Sequence, residues 1–226
     1  ELDPVRPTLA LFHRIFDRPR LGDGEAAVHQ IRRLGFLPSD VRHIIATHLD
    51  FDHVGGLRDF PQATIHVTRE ELEQASDAKG FIERRRFPRA ELAGPLRWQT
   101  YPMAGGASWF GFDAVRDLRG LPPEILLVPL PGHTLGQVGV ALEGNGRWLL
   151  HAADSYLFRD EVDPSRGSRP IGMRLYERVF DSDHKARVRN QERLRALVRE
   201  NGETVTVFCS HDFKELESLQ AHPWQP

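Results

Sequence analysis

Apolar and polar positions in the first part of the chain alternate between helix-like and strand-like spacing. In residues 22–35 apolar side chains recur every three or four positions and a glycine follows, which predicts a helix. Residues 41–47 and 63–68 are short runs rich in β-branched side chains and are predicted to be strands. A helical pattern follows each of them, in residues 52–60 and 69–76. This alternation is typical of an α/β layered fold.

The second half of the chain has longer apolar runs. Four of them are strand-like: residues 124–130, 137–144, 146–152 and 204–210. The dipeptide Asn145-Gly146 separates two of these runs and favours a type I′ turn, so those two strands are predicted to be antiparallel neighbours. Residues 183–201 have an amphipathic pattern, and their arginines are interpreted as a solvated helix face. The residues of this helix expected to face inward are Val188, Leu194, Leu197 and Val198.

Between about residue 80 and residue 120 the pattern loses any clear period. We interpret this part as an irregular insertion in a single domain that covers residues 1–226. Two interpretations stay open, a plain surface insertion and a lid or substrate wall, since long ordered loops are often functional. Its aromatic side chains could line an apolar pocket for an acyl chain, or pack as core or dimer contacts. They are Phe81, Phe87, Trp98, Tyr101, Trp109 and Phe110.

Composition and charge restrict the class of protein. The chain has 226 residues, 40% of them hydrophobic and 27% charged, which suits one large globular domain. The formal net charge is −2, whereas a general nucleic-acid binder would carry a basic surface, so nucleic acid is not an expected partner. No run approaches the ~18 apolar residues of a membrane helix, so no membrane association is expected. No signal peptide is visible, and a cytoplasmic location is expected.

The chain contains a single cysteine, Cys209. This excludes an intramolecular disulfide and a zinc site made of several cysteines. Cys209 lies in the apolar stretch "TVTVFCS" and is expected to be a small buried hydrophobic residue. Any metal site must therefore use other side chains.

Four potential metal ligands follow directly after the strand predicted at residues 41–47. The stretch "THLDFDHVGG" contains His48, Asp50, Asp52 and His53. Side chains alternate along an extended loop, so the first three share one side, and a turn into the next helix brings the fourth to the same region. Leu49 and Phe51 are then expected to face the core and hold the loop in place.

Three further polar residues stand just past predicted strands, where α/β proteins build their sites. His133 lies in "LPGHTLGQ", Asp154 in "HAADSY" and His211 in "FCSHD". Each of these residues alone is a weak indication of metal binding, but their order after the first cluster predicts a metal centre. His151 is a candidate neighbour of the ligands. The remaining histidines are interpreted as a strand residue (His66) or as residues without convergent partners (His13, His29, His43, His184 and His222).

These motifs resemble the metallo-β-lactamase superfamily, whose signature is H-x-H-x-D-H followed by a distant His, Asp and His. The resemblance covers essentially the whole chain, including the "DHVGG" continuation and the "PGHT" loop. It is closest to lactonase-like members, the N-acyl-homoserine-lactone lactonases, which have a similar "H-L-x-F-D-H-x-G-G" stretch. The resemblance implies an α/β fold of the αββα sandwich type, with two divalent metal ions at one edge.

The same resemblance implies a set of ligands, with zinc as the expected metal. One ion would be held by His48, Asp50 and His133. The other would be held by Asp52, His53 and His211. Asp154 would bridge the two ions.

The implied activity is hydrolysis of a small-molecule substrate. Two such metal ions share a bridging hydroxide, which would attack the carbonyl of a small ester, lactone or thioester. Asp52 would orient this nucleophile or carry its proton to the leaving group. Tyr156 stands two residues past Asp154, where lactonase-like members place a tyrosine three residues past. Two roles of Tyr156 stay open, that of a catalytic oxyanion donor and that of a core hydrogen-bonding residue. Assembly of the protein as a homodimer also stays open.

Asp50 departs from the signature, which has histidine at this position. A carboxylate favours harder metals such as Fe or Mn relative to zinc, and its charge weakens the metal as a Lewis acid. A non-haem iron oxidoreductase on the same fold is therefore an alternative, as in flavodiiron proteins, although their flavodoxin-type domain has no counterpart here. If Asp50 misses the metal, the site holds one ion or is asymmetric. The third hypothesis is a non-catalytic metal-binding domain.

The start of the chain is the second departure. Members of the superfamily begin with two strands and a "V-D-T-G"-like turn before the first helix. This sequence begins with "ELDPVRPTLALFHRIF", already beyond that point, so the sandwich is expected to lack its first strands. We favour the interpretation that residues upstream are missing, because losing two inner strands would expose a large apolar face.

Overall fold

The computed structural model describes residues 24–80, 82–87, 89–114, 118–163 and 171–224. The chain forms two compact units. The first comprises Glu1–His66 and Ala75–Gln99, and the second comprises Val67–Gln74 and Thr100–Pro226. The expected loss of the first strands concerns residues outside the described part. Phe81 also lies outside it. The assignment of one domain to the whole chain stays a prediction.

Helices and strands alternate along the described residues. The α-helices are α1 (Ala27–Arg33), α2 (Phe51–Val54), α3 (Arg69–Asp77), α4 (Glu83–Arg86), α5 (Arg89–Leu92), α6 (Ile171–Phe180), α7 (His184–Asn201) and α8 (Phe213–Ala221). The strands are β1 (His43–Ile45), β2 (Thr64–Thr68), β3 (Arg97–Tyr101), β4 (Ala107–Trp109), β5 (Phe112–Ala114), β6 (Ile125–Pro129), β7 (Val138–Gly144), β8 (Arg147–His151) and β9 (Val205–Phe208). Short 3₁₀ helices cover Pro38–Asp40, Leu57–Asp59 and Arg159–Glu161. Each strand predicted from an apolar run is confirmed.

A parallel pair of strands organises the first unit. Strand β1 pairs with β2 in the register His43↔Thr64 and Ile45↔His66, and the sheet order is β1-β2-β3. Apolar side chains from the connection between β1 and β2 fill the space beside this sheet. The buried ones are Leu49, Val54, Leu57, Phe60 and Ala63. The chain that leaves β1 is thereby anchored where the first ligand cluster begins.

A four-stranded sheet, in the order β6-β7-β8-β9, organises the second unit. Strands β7 and β8 form an antiparallel hairpin in which Gly144 pairs with Arg147, and Asn145 and Gly146 have φ values of 50° and 74°. This is the predicted type I′ turn. Strand β9 pairs with β8 in parallel. The ends of β8 and β9 consequently lie at the same edge, which places the residues that follow them close together.

Helix α7 packs on this sheet, and one part of its predicted pattern is wrong. Leu194 and Leu197 are buried in the main apolar cluster, together with Cys209, as expected, while Val188 and Val198 are half-buried. Arg187, however, is almost completely buried, although the arginines of this helix were interpreted as solvated. Its guanidinium pairs with two buried carboxylates, which offsets the cost of removing the charge from water.

The segment predicted to be irregular contains regular elements. Its described residues form α4, α5 and the strands β3 to β5. Strands β4 and β5 form a hairpin whose turn residues, Phe110 and Gly111, have φ values of 44° and 78°. Among its described aromatic side chains, Phe87, Tyr101 and Trp109 are buried and serve as core, whereas Trp98 is half-buried and Phe110 is exposed. The sequence pattern failed here because these short elements are rich in charged and polar residues and contain no continuous apolar run.

Outside that segment, two further helices were not predicted from the sequence, α6 and α8. Helix α8 begins after Asp212, whose carboxylate accepts hydrogen bonds from the backbone N–H groups of Lys214 and Glu215. This is an N-cap that the sequence "SHDFKE" could have indicated. Among the described residues, the structure contains no helix with the length and apolarity needed to cross a membrane.

Candidate metal centre

The first ligand cluster lies in the loop between β1 and α2. The backbone N–H of Ala46 donates to the carbonyl of His66 at 2.9 Å, which extends the pairing of β1 with β2 up to the loop. Leu49 is fully buried, as predicted, whereas Phe51 is half-buried. His48 is also fully buried, and its Nδ1 atom is 3.1 Å from the Thr47 hydroxyl. Local pairing and one apolar anchor thus position the whole stretch.

The four side chains of this cluster converge within the first unit. The His48 Nε2 atom is 3.8 Å from Asp50 Oδ2, and the His53 Nε2 atom is 3.5 Å from Asp52 Oδ2. The His48 and His53 rings lie 4.0 Å apart, centroid to centroid. The Asp52 side chain is the most open of the four, with 37% of its surface exposed.

Asp50 has a strong partner that sequence analysis missed, the guanidinium of Arg86 on α4. The Arg86 Nε atom donates to Asp50 Oδ1 at 3.0 Å, and its Nη2 atom donates to Asp50 Oδ2 at 2.7 Å. Both side chains are only 7% exposed. Thirty-six positions separate the two residues, so no local spacing in the sequence indicates this pair.

The second ligand cluster lies at the edge formed by the ends of β8 and β9. Asp154 follows β8, and its Oδ2 atom is 3.1 Å from His211 Nε2 and 3.6 Å from His133 Nε2. One oxygen atom of a buried carboxylate is therefore adjacent to the imidazoles that the resemblance assigns to two different ions. This is the arrangement expected of a bridging ligand.

Backbone geometry places Asp154 and His211 side by side. The N–H of Ala152 donates to the carbonyl of Phe208 at 2.7 Å, and the N–H of Ser210 donates to the carbonyl of Ala153 at 3.1 Å. Ala153 itself has φ 50°, a left-handed conformation that is uncommon for residues other than glycine. Such strain persists when the surroundings fix it, and it is concentrated at functional sites.

The loop that contains His133 is fixed against the start of α7. Gly132 has φ 148°, and a Cβ atom at this position would overlap the backbone of Arg187. The carbonyl groups of Gly132 and His133 accept hydrogen bonds from the N–H groups of Asp183 and Ser182, at 2.8 and 3.0 Å. The glycine in "PGHT" is therefore needed for a close approach of two backbones.

Asp181 is a second neighbour of a candidate ligand that sequence analysis missed. Its Oδ1 atom is 3.7 Å from His133 Nδ1 and 2.9 Å from Arg187 Nη1, and its Oδ2 atom is 2.7 Å from His184 Nδ1. Burial raises the pKa of Asp181, but contacts with His133, Arg187 and His184 outweigh burial and hold this pKa below its ordinary value. An ionised carboxylate next to the second nitrogen of a ligand imidazole fixes its orientation and tautomer.

Tyr156 is fully buried, and its hydroxyl donates to the Glu215 carboxylate, at 3.0 Å from Oε1 and 3.2 Å from Oε2. Burial and the adjacent Glu215 raise the pKa of this phenol well above its ordinary value. Glu215 also accepts from the backbone N–H of Cys209 at 2.8 Å, two residues before His211. The hydroxyl of Tyr156 is thus bound by Glu215. A catalytic role for Tyr156 stays a prediction.

The remaining histidines differ in part from their interpretation. His43, which was expected to lack a partner, has its Nδ1 atom 2.9 Å from the Nε2 atom of the buried His66. His184 was also expected to lack one and instead contacts Asp181. His151 stacks on Phe208 and has its Nε2 atom 3.3 Å from the Ser210 hydroxyl, next to His211 in the chain.

The donor atoms fit divalent metal ions. Ligands about 2.1 Å from one tetrahedral ion lie about 3.4 Å from each other. The carboxylate–imidazole separations within each unit range from 3.1 to 3.8 Å around that value. Imidazole nitrogens combined with carboxylate oxygens suit zinc, iron and manganese. Four such side chains lie in the first unit and three in the second.

Comparisons with known proteins agree with this chemistry. A probable metallo-hydrolase of Mycobacterium tuberculosis is 38% identical over 212 residues, which are 93% of this chain and 66% of that protein. An N-acyl homoserine lactonase of Bacillus thuringiensis is 26% identical over 210 residues, which are 91% of this chain and 69% of that protein. The chain therefore spans about two thirds of the length of these curated relatives.

A solved structure and a family profile settle the fold. The structure of an N-acyl homoserine lactone hydrolase, with N-hexanoyl-L-homoserine at its catalytic metal centre, aligns with a TM-score of 0.64 at 20% identity. The alignment covers 88% of this chain and 67% of that chain, and it confirms the expected mixed α/β fold. The sequence profile of the metallo-beta-lactamase superfamily matches residues 11–208. The resemblance inferred from the motifs is thereby confirmed, and the chain belongs to the metallo-β-lactamase superfamily.

Proposed function

We propose that the protein is a metal-dependent hydrolase of a small molecule with a cyclic or open ester-like carbonyl group. The observation that carries this proposal is the position of Asp154. One of its oxygen atoms lies 3.1 Å from His211 and 3.6 Å from His133, as a carboxylate shared by two ions would. Family membership supports the same conclusion.

We further propose that the metal ligands are the seven residues of the signature. They are His48, Asp50, Asp52, His53, His133, Asp154 and His211. When bound, divalent ions would supply Lewis acidity, which activates water and polarises a carbonyl group. Zinc is the expected metal, with iron or manganese as the alternatives that Asp50 raises.

The chain's own residues have separate tasks in this proposal. Asp154 sets the spacing of the ligands around it. Asp181 orients the His133 imidazole through its Nδ1 atom, 3.7 Å away. Asp52, whose carboxylate is 3.5 Å from His53 and more than a third exposed, is positioned to take a proton from the attacking water and to pass it to the leaving group.

A lactone is the substrate class we propose first. The support is the name of a relative, an N-acyl homoserine lactonase, that is 26% identical over 91% of this chain. Esters and thioesters have the same electrophilic carbonyl and are the next candidates. A cytoplasmic location and a homodimer stay predictions.

A substrate panel with matched variants tests this function. N-acyl homoserine lactones, simple lactones, nitrophenyl esters and acyl thioesters are incubated with the protein before and after chelator treatment. We expect lactone hydrolysis that the chelator abolishes, that added zinc restores, and that Asp154→Asn lowers at least about 100-fold. Glu200→Gln, an exchange at an exposed position of α7, is the control and should leave the rate unchanged. Turnover that survives both the chelator and Asp154→Asn would contradict the proposal.

A further inference from the structure

Asp50 occupies a signature position of the superfamily that normally holds an uncharged imidazole. A carboxylate there changes the charge of the site by one negative unit unless another group offsets it. Asp50 is 5% exposed, so solvent contributes little to that compensation. The compensating group has to come from the chain.

Arg86 meets this requirement with a specific geometry. Its Nε and Nη2 atoms face the two oxygen atoms of Asp50 at 3.0 and 2.7 Å, a side-on fork that binds both oxygens at once. Arg86 is the last residue of α4 and is 6% exposed, whereas Arg84 on the same helix is exposed. The helix thus directs one arginine inward and keeps another in solvent.

Binding by Arg86 does not use up the carboxylate. A carboxylate offers about four lone-pair positions and can accept a bidentate arginine while it ligates a metal ion. The sum of one aspartate and one arginine is zero charge, the same as that of a neutral histidine. The Oδ2 atom of Asp50 remains 3.8 Å from His48 Nε2, a neighbour in the same ligand set.

We propose that Arg86 is a positioning residue that orients the Asp50 carboxylate and neutralises its charge, so that the buried Asp50–Arg86 pair replaces the imidazole of the signature. This inference rests on the proposed metal-binding function. Lysine would not serve equally well, because its single ammonium group cannot match both oxygen atoms of a carboxylate. The pair also explains how a buried anion is tolerated in the metal-free protein.

A pairwise exchange tests the proposal in the whole 226-residue chain. The variants are Asp50→His, Arg86→Met, the double variant Asp50→His/Arg86→Met, and Arg84→Met as the control at an exposed position of the same helix. Two quantities are measured: zinc retention against a competing chelator, and the melting temperature of the metal-free protein. Circular dichroism at low temperature verifies that each variant is folded before zinc is added.

Asp50→His alone leaves a buried guanidinium beside the cation, and we expect it to retain zinc at least about tenfold more weakly than the parent chain. The double variant should recover zinc retention to within about threefold, because it restores a neutral ligand without an unpaired charge. Arg86→Met alone should have a lower melting temperature than the parent. Arg84→Met should have the same melting temperature as the parent. A further variant, Arg86→Lys, should have a melting temperature closer to that of Arg86→Met than to that of the parent, because an ammonium group cannot bind both oxygen atoms of Asp50 at once.

Two results would overturn the proposal. One is zinc retention by Asp50→His equal to that of the double variant, since Arg86 would then have no influence on the site. The other is an unchanged melting temperature of Arg86→Met, since Asp50 would then not need its partner. A parent chain that retains no zinc, iron or manganese refutes the proposed function instead, and the melting temperatures of the metal-free variants still decide whether the pair exists.

Discussion

Asp181 and Asp154 lie at opposite nitrogens of the His133 imidazole. The Oδ1 atom of Asp181 is 3.7 Å from Nδ1, and the Oδ2 atom of Asp154 is 3.6 Å from Nε2. A carboxylate beside one imidazole nitrogen favours the tautomer that presents the other nitrogen to a metal ion. Asp181 is in turn held by Arg187, and the loop of His133 is hydrogen-bonded to the residues that follow Asp181. Orientation of this ligand is therefore built into the start of α7.

The exchange Asp181→Asn tests that support. We expect metal affinity to fall about 10- to 100-fold, the usual cost of losing a carboxylate that orients a ligand histidine. The measurement is zinc retention against a chelator, with Glu200→Gln as the control at an exposed position of helix α7. Unchanged zinc retention in a folded Asp181→Asn protein would show that Asp181 does not support the ligand.

The exchange Tyr156→Phe separates the two roles considered for this tyrosine. Because the hydroxyl is buried and donates to Glu215, we expect a loss of about 1 kcal/mol in the free energy of unfolding and a change in kcat of less than about threefold. Urea unfolding and steady-state kinetics measure the two effects. Tyr101→Phe is the matched control, since that hydroxyl also has a structural partner, the N–H of Arg119. A fall in kcat of about 100-fold without loss of stability would assign the catalytic role instead.

Ala153 is predicted to tolerate only small replacements because its φ is 50° and it is fully buried. Ala153→Gly should change the free energy of unfolding by less than about 1 kcal/mol, since glycine adopts this conformation without strain. Ala153→Val should cost at least about 2 kcal/mol, because a β-branched side chain is both strained and too large there. Urea unfolding measures both. Equal stability of the two variants would show that the left-handed conformation and burial of Ala153 do not restrict the side chain at this position.

Glu161 gives the protein a pH-dependent stability. Burial and the neighbouring Glu177 raise the pKa of Glu161 to about 7. A carboxyl group with a raised folded-state pKa binds more protons in the folded than in the unfolded chain between pH 4.5 and 7, so stability falls as the pH rises through this window. We expect a loss of about 1–3 kcal/mol between pH 5 and pH 8 from this group in the metal-free protein.

Urea unfolding of the metal-free protein at several pH values between 5 and 8 measures this dependence. Glu161→Gln should flatten it, because an amide at this position does not titrate. If the parent and the variant lose stability equally with rising pH, Glu161 is not the group responsible.

The candidate ligands could be singled out from the sequence because their signals are local. His48, Asp50, Asp52 and His53 lie within one stretch after a strand, and the glycines around His133 mark a tight loop. The partners were not predictable, because Arg86 and Asp181 reach the ligands from elements far away in the sequence. The distance from Asp50 to Arg86 along the chain is 36 residues, and from His133 to Asp181 it is 48. Only packing of the folded chain determines such pairs.

The elements followed the same rule. Strands β6 to β9 lie in apolar runs with an Asn-Gly turn between two of them, and the pattern predicted them correctly. Helix α4 and strands β3 to β5 are short and rich in charged and polar residues, so no apolar pattern marks them and the segment was interpreted as irregular. The buried Arg187 was misassigned because an arginine on an amphipathic helix is normally exposed, and its two carboxylate partners are not visible in the helical pattern.

The most direct test of the central claim is the metal content of the purified protein, measured by elemental mass spectrometry without added metal. We expect about two equivalents of divalent metal per chain, with more zinc than iron or manganese. The variant Asp154→Asn should contain markedly less metal. Iron accompanied by visible absorbance and redox activity would favour the oxidoreductase alternative. One equivalent or none in the parent chain would contradict the claim that these seven residues hold two metal ions.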